Sequence, residues 1–268
     1  MACFNVVCAF IQYFFILNQI IYNTMRKLFF CLWCSCVSFP VMAWQPFTWT
    51  SSNIQGLYGE DFIFSEAQRG TVTIEHAHGW KYGDNFFFVD MYNNQGFEVY
   101  AEVYSNFSLS KITGEKFAFG PIKDVSLMLG LNISNRPETR RFQAYLWGVN
   151  LDLANAYFDY LSLSIAAYKD DSVASYGVQI TPVWSYPFTI AQLSFKFKGF
   201  LDIKDGNSNA EGNVSVLAQP QLLLDVGELS GWKPNVFYIG MEYSYWLNKY
   251  GVEGKDESAL QGMVSVFF

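Results

Sequence analysis

The first residues to test for chemistry are His76 and His78, the only two histidines among the chain's 268 residues. They stand two apart, so in a strand both lie on one face. Imidazoles so placed can ligate a metal or act as bases, but either role needs further polar groups converging on them. Here Val72, Ile74 and Trp80 fall at the same alternating positions, giving an apolar, outward-leaning face with no orienting carboxylate. No Ser/His or paired-carboxylate arrangement can be assembled either, so no catalytic residue, metal or cofactor is expected. A richer set alternates with apolar residues along the rest of the chain. It comprises the carboxylates Glu75, Asp90, Glu98, Glu102 and Glu242, the cations Lys196 and Lys198, and the rings Phe86, Phe88, Tyr100, Tyr104, Tyr160 and Tyr238. Rings present faces for stacking, carboxylates accept from hydroxyls, and lysines donate to them. That chemistry holds a solute without transforming it.

These residues must be positioned by strands. Residues 193–203 place Leu193, Phe195, Phe197, Leu201 and Ile203 on one face, and Ser194, Lys196, Lys198 and Asp202 on the other. Phe97, Val99, Ala101 and Val103 oppose Glu98, Tyr100, Glu102 and Tyr104, and Val125 to Ile133 repeat the pattern. A period of two means a strand with one dry and one wet face. About twelve such segments occur, near 50–58, 70–80, 84–92, 96–107, 122–134, 141–152, 156–168, 175–186, 190–203, 212–224, 235–247 and 258–268. Turn-forming text divides them, as at Asn93-Asn94-Gln95-Gly96, Ser134-Asn135-Arg136-Pro137 and Asp205-Gly206-Asn207. Helical periodicity is unconvincing throughout, and no linker interrupts the series, so 44–268 reads as a single domain.

The first 43 residues are different. They contain no Asp or Glu, only Arg26 and Lys27 as cations, and all five cysteines. From Met25 they run Met-Arg-Lys, an apolar stretch from Leu28 to Val37, then Val41-Met42-Ala43. This is the order of a secretory signal peptide with cleavage after Ala43, preceded by an upstream extension. A transmembrane helix over 4–23 is the alternative. The exported chain lacks cysteine and is more acidic than the whole, whose net charge is −7. No nucleic acid is expected as a partner, because a basic stripe is missing.

Two architectures accommodate so many regular strands. A soluble sandwich or barrel turns its apolar face inward, whereas an outer-membrane barrel turns it to lipid and lines its interior with polar groups. The wet faces carry few charges and much Tyr, Ser, Asn and Gln, which favours the membrane. So do the aromatics placed near strand ends, Trp184/Tyr186, Tyr245/Trp246 and Phe267/Phe268, where an interfacial girdle belongs. The expected fold is therefore all-β, a transmembrane antiparallel β-barrel of about 12 strands in the bacterial outer membrane. Its connections at 59–69, 93–96, 135–140, 169–174, 204–211 and 248–257 should face the cell exterior. Phe268, an aromatic closing the last strand, resembles the signal read by the barrel-assembly machinery.

At Phe107-Ser108-Leu109-Ser110-Lys111-Ile112-Thr113, followed by Phe117-Ala118-Phe119-Gly120-Pro121-Ile122-Lys123-Asp124, the chain resembles the nucleoside-specific channel-forming outer-membrane family (Tsx-like / OmpK). The spacing of Glu75 and Asp90, the position of Glu102 before Phe107, and Tyr238 to Trp246 are also similar to that family. The resemblance implies a monomeric barrel of twelve strands passing nucleosides and deoxynucleosides, and some relatives serve as phage receptors. The residues agree with such a cargo: a base stacks on a ring face for about 1–3 kcal/mol, ribose hydroxyls suit carboxylates, and several weak sites let a solute leave. Lys196 and Lys198 are expected to pair with Glu98 or Glu102. The alternative is a closed structural barrel acting as a surface recognition protein.

Overall fold

The computed structural model describes residues 46–93, 96–135 and 142–268. The expected signal peptide, its cleavage point, the five cysteines and the turn residues Asn94, Gln95, Arg136 and Pro137 lie outside the described residues. The described unit, Pro46–Phe268, is one antiparallel sheet in which each strand but β10 pairs with the next: β1 (Trp49–Gly59), β2 (Arg69–Trp80), β3 (Gly83–Asn93), β4 (Phe97–Ser108), β5 (Ile122–Ser134), β6 (Phe142–Leu153), β7 (Tyr160–Asp170), β8 (Gly177–Ile190), β9 (Leu193–Lys204), β10 (Ser215–Ala218), β11 (Gln221–Asp225), β12 (Phe237–Leu247) and β13 (Glu257–Phe267). β10 and β11 hold the same register against β9 and against β12, so they are two halves of one stave broken at Gln219-Pro220. Proline lacks the N–H that the ladder needs. Thirteen segments thus make twelve staves. The sheet closes where Asn53 of β1 pairs with Phe267 of β13 and Gly59 with Gln261.

Closure fixes which face every side chain takes. Paired residues share a face, and following the pairs once around the sheet returns to the same parity. Asn53 and Gln55 are buried inside while Ile54 and Tyr58 are exposed outside. The exposed belt continues through Val72, Val103, Leu127, Leu129, Ile165, Val178, Phe197, Ile239 and Val264. Polar residues fill the interior instead, among them Asn106, Asn132, Asn150, Ser162, Gln179, Gln221 and Gln261. Strands of 11–14 residues suffice for a tilted membrane stave, which needs about 9–11. A closed sheet leaves no backbone edge for lipid to strand.

Several sequence expectations need correction. Trp246 and Phe267 are turned inward, because neighbours in a strand must face opposite ways: only Tyr245 and Phe268 of their pairs can join a girdle. The Trp246 indole donates to Ser215 Oγ at 2.9 Å, and Phe267 meets Tyr238 edge-on at 5.4 Å. Trp184 and Tyr186 do face outward. The seventh strand begins only at Tyr160 and the eighth at Gly177, and the eighth runs on to Ile190. Two short helices, Leu109–Thr113 and Val226–Leu229, appear where no helix was expected. The interior also carries two apolar clusters, one around Met128, Ala144, Leu146, Ala166 and Tyr168 and one around Leu57, Leu223, Tyr238 and Met263.

The orientation is testable through β5. Leu129→Arg puts a cation against lipid near mid-strand, and should destabilise the barrel in lipid vesicles by about 2–4 kcal/mol. Met128→Gln, one residue away and inside, should cost clearly less. Equal losses in urea unfolding would reverse the assignment of faces.

Candidate functional site: the barrel interior

The connections fall into two sets. At the loop end lie 60–68, 171–176, 205–214 and 248–256, and at the turn end Lys81-Tyr82, Ala191-Gln192 and the two short helices. Every residue expected in the interior faces it. Their neighbours, however, could only be found from the closed structure.

One row of cross-strand pairs forms the centre. Glu75 of β2 pairs with Phe88 of β3, Phe88 with Glu102 of β4, and Glu102 with Asn132 of β5. A ring is therefore flanked by two carboxylates on one continuous wall. From the opposite wall Lys198 of β9 reaches across and its Nζ meets Glu75 Oε1 at 2.6 Å. This replaces the expected pairing of the lysines with Glu98 or Glu102. Lys196 instead stands 3.6 Å from Asp159 at the turn end. Side chains point along directions set by strand tilt and barrel width, so partners across the interior need not be close in the sheet. Both members of the Lys198–Glu75 pair keep some exposure, 16% and 21%.

The carboxylates are held firmly. Glu75 accepts from Asn53 Nδ2 at 2.8 Å. Glu102 accepts from the hydroxyls of Tyr100 and Tyr104, the latter at 2.9 Å, and from Asn132 Nδ2 at 2.8 Å. The Tyr104 ring lies so close over Gly130 that a Cβ there would sit 2.6 Å from it. Asp90 accepts from Thr73 Oγ1 at 2.5 Å. Glu242 is a hub for amides: Gln221 and Gln261 donate to it at 2.7 and 2.8 Å, and Gln219 at 3.3 Å. Glu98 is buried near the loop end. Asp202 accepts from Gln179 and Thr181 at 3.0 and 2.6 Å. Lys204 Nζ lies 4.6 Å over the Tyr168 ring. Inward acids outnumber inward cations, so the passage is electronegative.

The rings line up as well. Phe86, Phe88, Tyr100 and Phe142 follow one another at centroid separations of 6.1, 5.9 and 6.4 Å, rising diagonally from β3 to β6 toward the loop end. All four are half-buried. Phe142 was missed in the sequence, because its strand also turns Ala144 and Leu146 inward and blurs the alternation. Tyr160 faces inward near the turn end. Tyr238 is packed under Phe267 and beneath the Lys196 ammonium, 5.7 Å away, so it is core more than lining.

Elsewhere, His76 and His78 lie outside, in a line of hydrogen bonds from Ser52 (2.7 Å) through each other (3.0 Å) to Asn85 (2.9 Å). Among the described residues no cluster of three or more His, Cys, Asp or Glu side chains could hold a metal ion. The stretch from Phe107 to Asp124 is a strap at the turn end. Ser108 caps the helix Leu109–Thr113, Lys111 Nζ donates to the Gly83 carbonyl at 3.0 Å, and Asp124 accepts from Ser108, from Ser110 at 2.6 Å and from its neighbour's N–H. Its residues are explained by the turn they tie down.

Solved structures of similar shape include a KdgM porin in complex with disordered oligogalacturonate (11% identity, TM-score 0.46, 81% of this chain and 99% of that one), a NanC porin (14%, 0.46, 80% and 98%) and the translocator domain of the autotransporter NalP from Neisseria meningitidis (10%, 0.38, 82% and 87%). No curated protein matches the sequence, and these findings do not carry the resemblance to nucleoside channels any further. One family model matches, over residues 54–256, and its description is a domain of unknown function, DUF5020. That span takes in part of β1 and all of β2 to β12, stopping short of β13, and the chain belongs to the DUF5020 family.

Proposed function

We propose that the protein is an outer-membrane channel for the passive passage of small, uncharged polar solutes bearing a flat ring, with nucleosides and deoxynucleosides as the class that fits best. The observation that carries this reading is the row Glu75–Phe88–Glu102–Asn132 with Lys198 opposite. A base stacked on Phe88 would have carboxylates to either side for ribose hydroxyls and an ammonium facing it. The ladder Phe86, Phe88, Tyr100, Phe142 repeats the stacking surface along the path, and repeated weak sites favour transit over retention. An electronegative wall admits a neutral solute more readily than an anion. Nothing in this reading calls for an enzyme. The signal peptide and lipid-facing belt suit export to the outer membrane, and Phe268, 75% exposed, is available to the assembly machinery.

A second reading, a closed barrel serving as a surface recognition protein that phage could exploit, is favoured by the Lys198–Glu75 bridge itself, which spans the interior. Planar-bilayer recording of the purified protein separates the two. A channel should conduct and be blocked by adenosine or thymidine, while absence of conductance, or conductance indifferent to nucleosides, removes the nucleoside reading.

Variants refine the test. Lys198→Ala should raise conductance by opening the bridge, and Glu75→Gln should do likewise. Phe88→Ala and Glu102→Ala should each weaken nucleoside block by about tenfold, the effect of losing one stacking or charge-assisted contact. Phe197→Ala, facing lipid, should alter stability and leave block unchanged. Equal effects on block from all of these would place the register one residue out.

A further inference from the structure

Arg69, the first residue of β2, faces the interior at the loop end, since it pairs with Gly59 and shares a face with Thr71 and Thr73. Its guanidinium carbon lies 4.5 Å from the ring centroid of Tyr92, an inward residue of β3, and 3.8 Å from that of Phe62. Phe62 belongs to no strand. It sits in the connection 60–68, yet only 4% of it is exposed, whereas Asp61 and Phe64 beside it are open to solvent. Both of those take left-handed backbone angles, φ 67° and 58°, uncommon for residues with a Cβ and more so for a bulky one. Two unfavourable bends thus turn one phenyl ring into the mouth.

The connection is also fastened. Phe62 N–H donates to the Ala67 carbonyl at 3.2 Å, and Ile63 N–H donates to Glu257 Oε2 at 2.9 Å. Glu257 is anchored in turn by its ion pair with Lys249, the two side chains being 2% and 3% exposed. One group stays unanswered: Arg69 Nε is buried and has no hydrogen-bond partner. A phenyl ring covers the face of a guanidinium but accepts no hydrogen bond in its plane. A heteroaromatic solute stacked there would cover the same face, and a hydroxyl carried out of the plane of its ring, as on a ribose, could reach round to such a donor at the guanidinium's edge.

We propose that the slot between Arg69 and Phe62 is the entry subsite for a flat heteroaromatic solute, that Phe62 occupies it as a stand-in, and that connection 60–68 is the lid which an arriving solute displaces. The proposal rests on the reading of the barrel as a channel for flat-ring solutes and adds where they are first held and what they must move.

Residues 44–268 contain no cysteine, so in protein freed of residues 1–43 a single Ile63→Cys marks the lid while keeping the backbone bond to Glu257. Its rate of modification by a membrane-impermeant maleimide reports lid opening whether or not the barrel conducts. The rate should be slow, rise several-fold with millimolar adenosine, and be fast without adenosine when Phe62→Ala or Glu257→Gln is added. In bilayers, Phe62→Ala should raise conductance and tighten adenosine block by about tenfold, since no ring need leave first, and Arg69→Gln should abolish that gain. Heat-modifiable gel migration confirms that each variant is folded. Fast modification of the parent, or a rate insensitive to both adenosine and Phe62→Ala, overturns the lid and subsite even if the channel conducts and is blocked through Phe88. Slow modification released by Phe62→Ala in a barrel that never conducts sustains the lid and sinks the transport reading instead.

Discussion

In hydrocarbon a backbone N–H or C=O has no partner except another backbone group, and an open sheet edge would expose a whole row of them. The seam between β1 and β13 is where this demand is met. Once the sheet closes, a side chain on a given strand can only face lipid or interior, and its choice is tied to that of every other residue in the ring. Ile54 cannot turn inward without turning Asn53, Glu75, Phe88 and Glu102 outward. The placing of one ring between two carboxylates is thus a consequence of sheet closure and the period of two, with no local device required.

Two of the ion pairs, Lys249–Glu257 and Lys198–Glu75, illustrate how burial sets their character. Lys249 and Glu257 are nearly dry, and removing either partner would leave a charge with no solvent to turn to, a loss of the order of 3–5 kcal/mol. Such a pair acts as a fixed post, and the connection 60–68 is tied to it. Lys198 and Glu75 keep contact with water, so their attraction is screened and each has an alternative partner in solvent. That pair is the more weakly held of the two, and on the proposed channel reading it is the contact that parts when a solute passes. The tyrosine hydroxyls on Glu102 and the amides on Glu242 serve a third purpose, holding carboxylates in place with neutral donors.

Much of this was legible in the sequence because strand alternation is a local property. Leu193 to Ile203 declare both faces of β9 without reference to any other strand, and twelve such declarations name a barrel. What depends on width and tilt was not legible: Glu75 and Lys198 are 123 residues apart, and nothing in either neighbourhood says that one reaches the other. Trp246 and Phe267 were misplaced by treating adjacent aromatics as a cluster, when alternation forbids it. The break at Pro220 was hidden inside a run that otherwise alternates. Phe62 gave no signal at all, since a ring in a connection has no period from which its direction could be read. The strap from Phe107 to Asp124 was conspicuous in composition, and its side chains tie down a turn.

β9 is the stave whose Lys198 reaches across the interior, and it is also flanked by proline on both sides. Its ladder to β8 skips Thr181 and Pro182 against Leu201 and Asp202, and on the other flank Pro220 stands opposite Gly199. The gaps alternate between the two flanks immediately beyond Lys198: Gly199 and Phe200 pair with β8, and Leu201 and Asp202 with β10. Over those residues the stave is tied largely on one flank at a time, so it is held there more loosely than where both flanks are paired. The wall of the tube is accordingly more loosely tied beside the Lys198–Glu75 bridge, which would make the calibre of the pore at that height a property of one pliant plank.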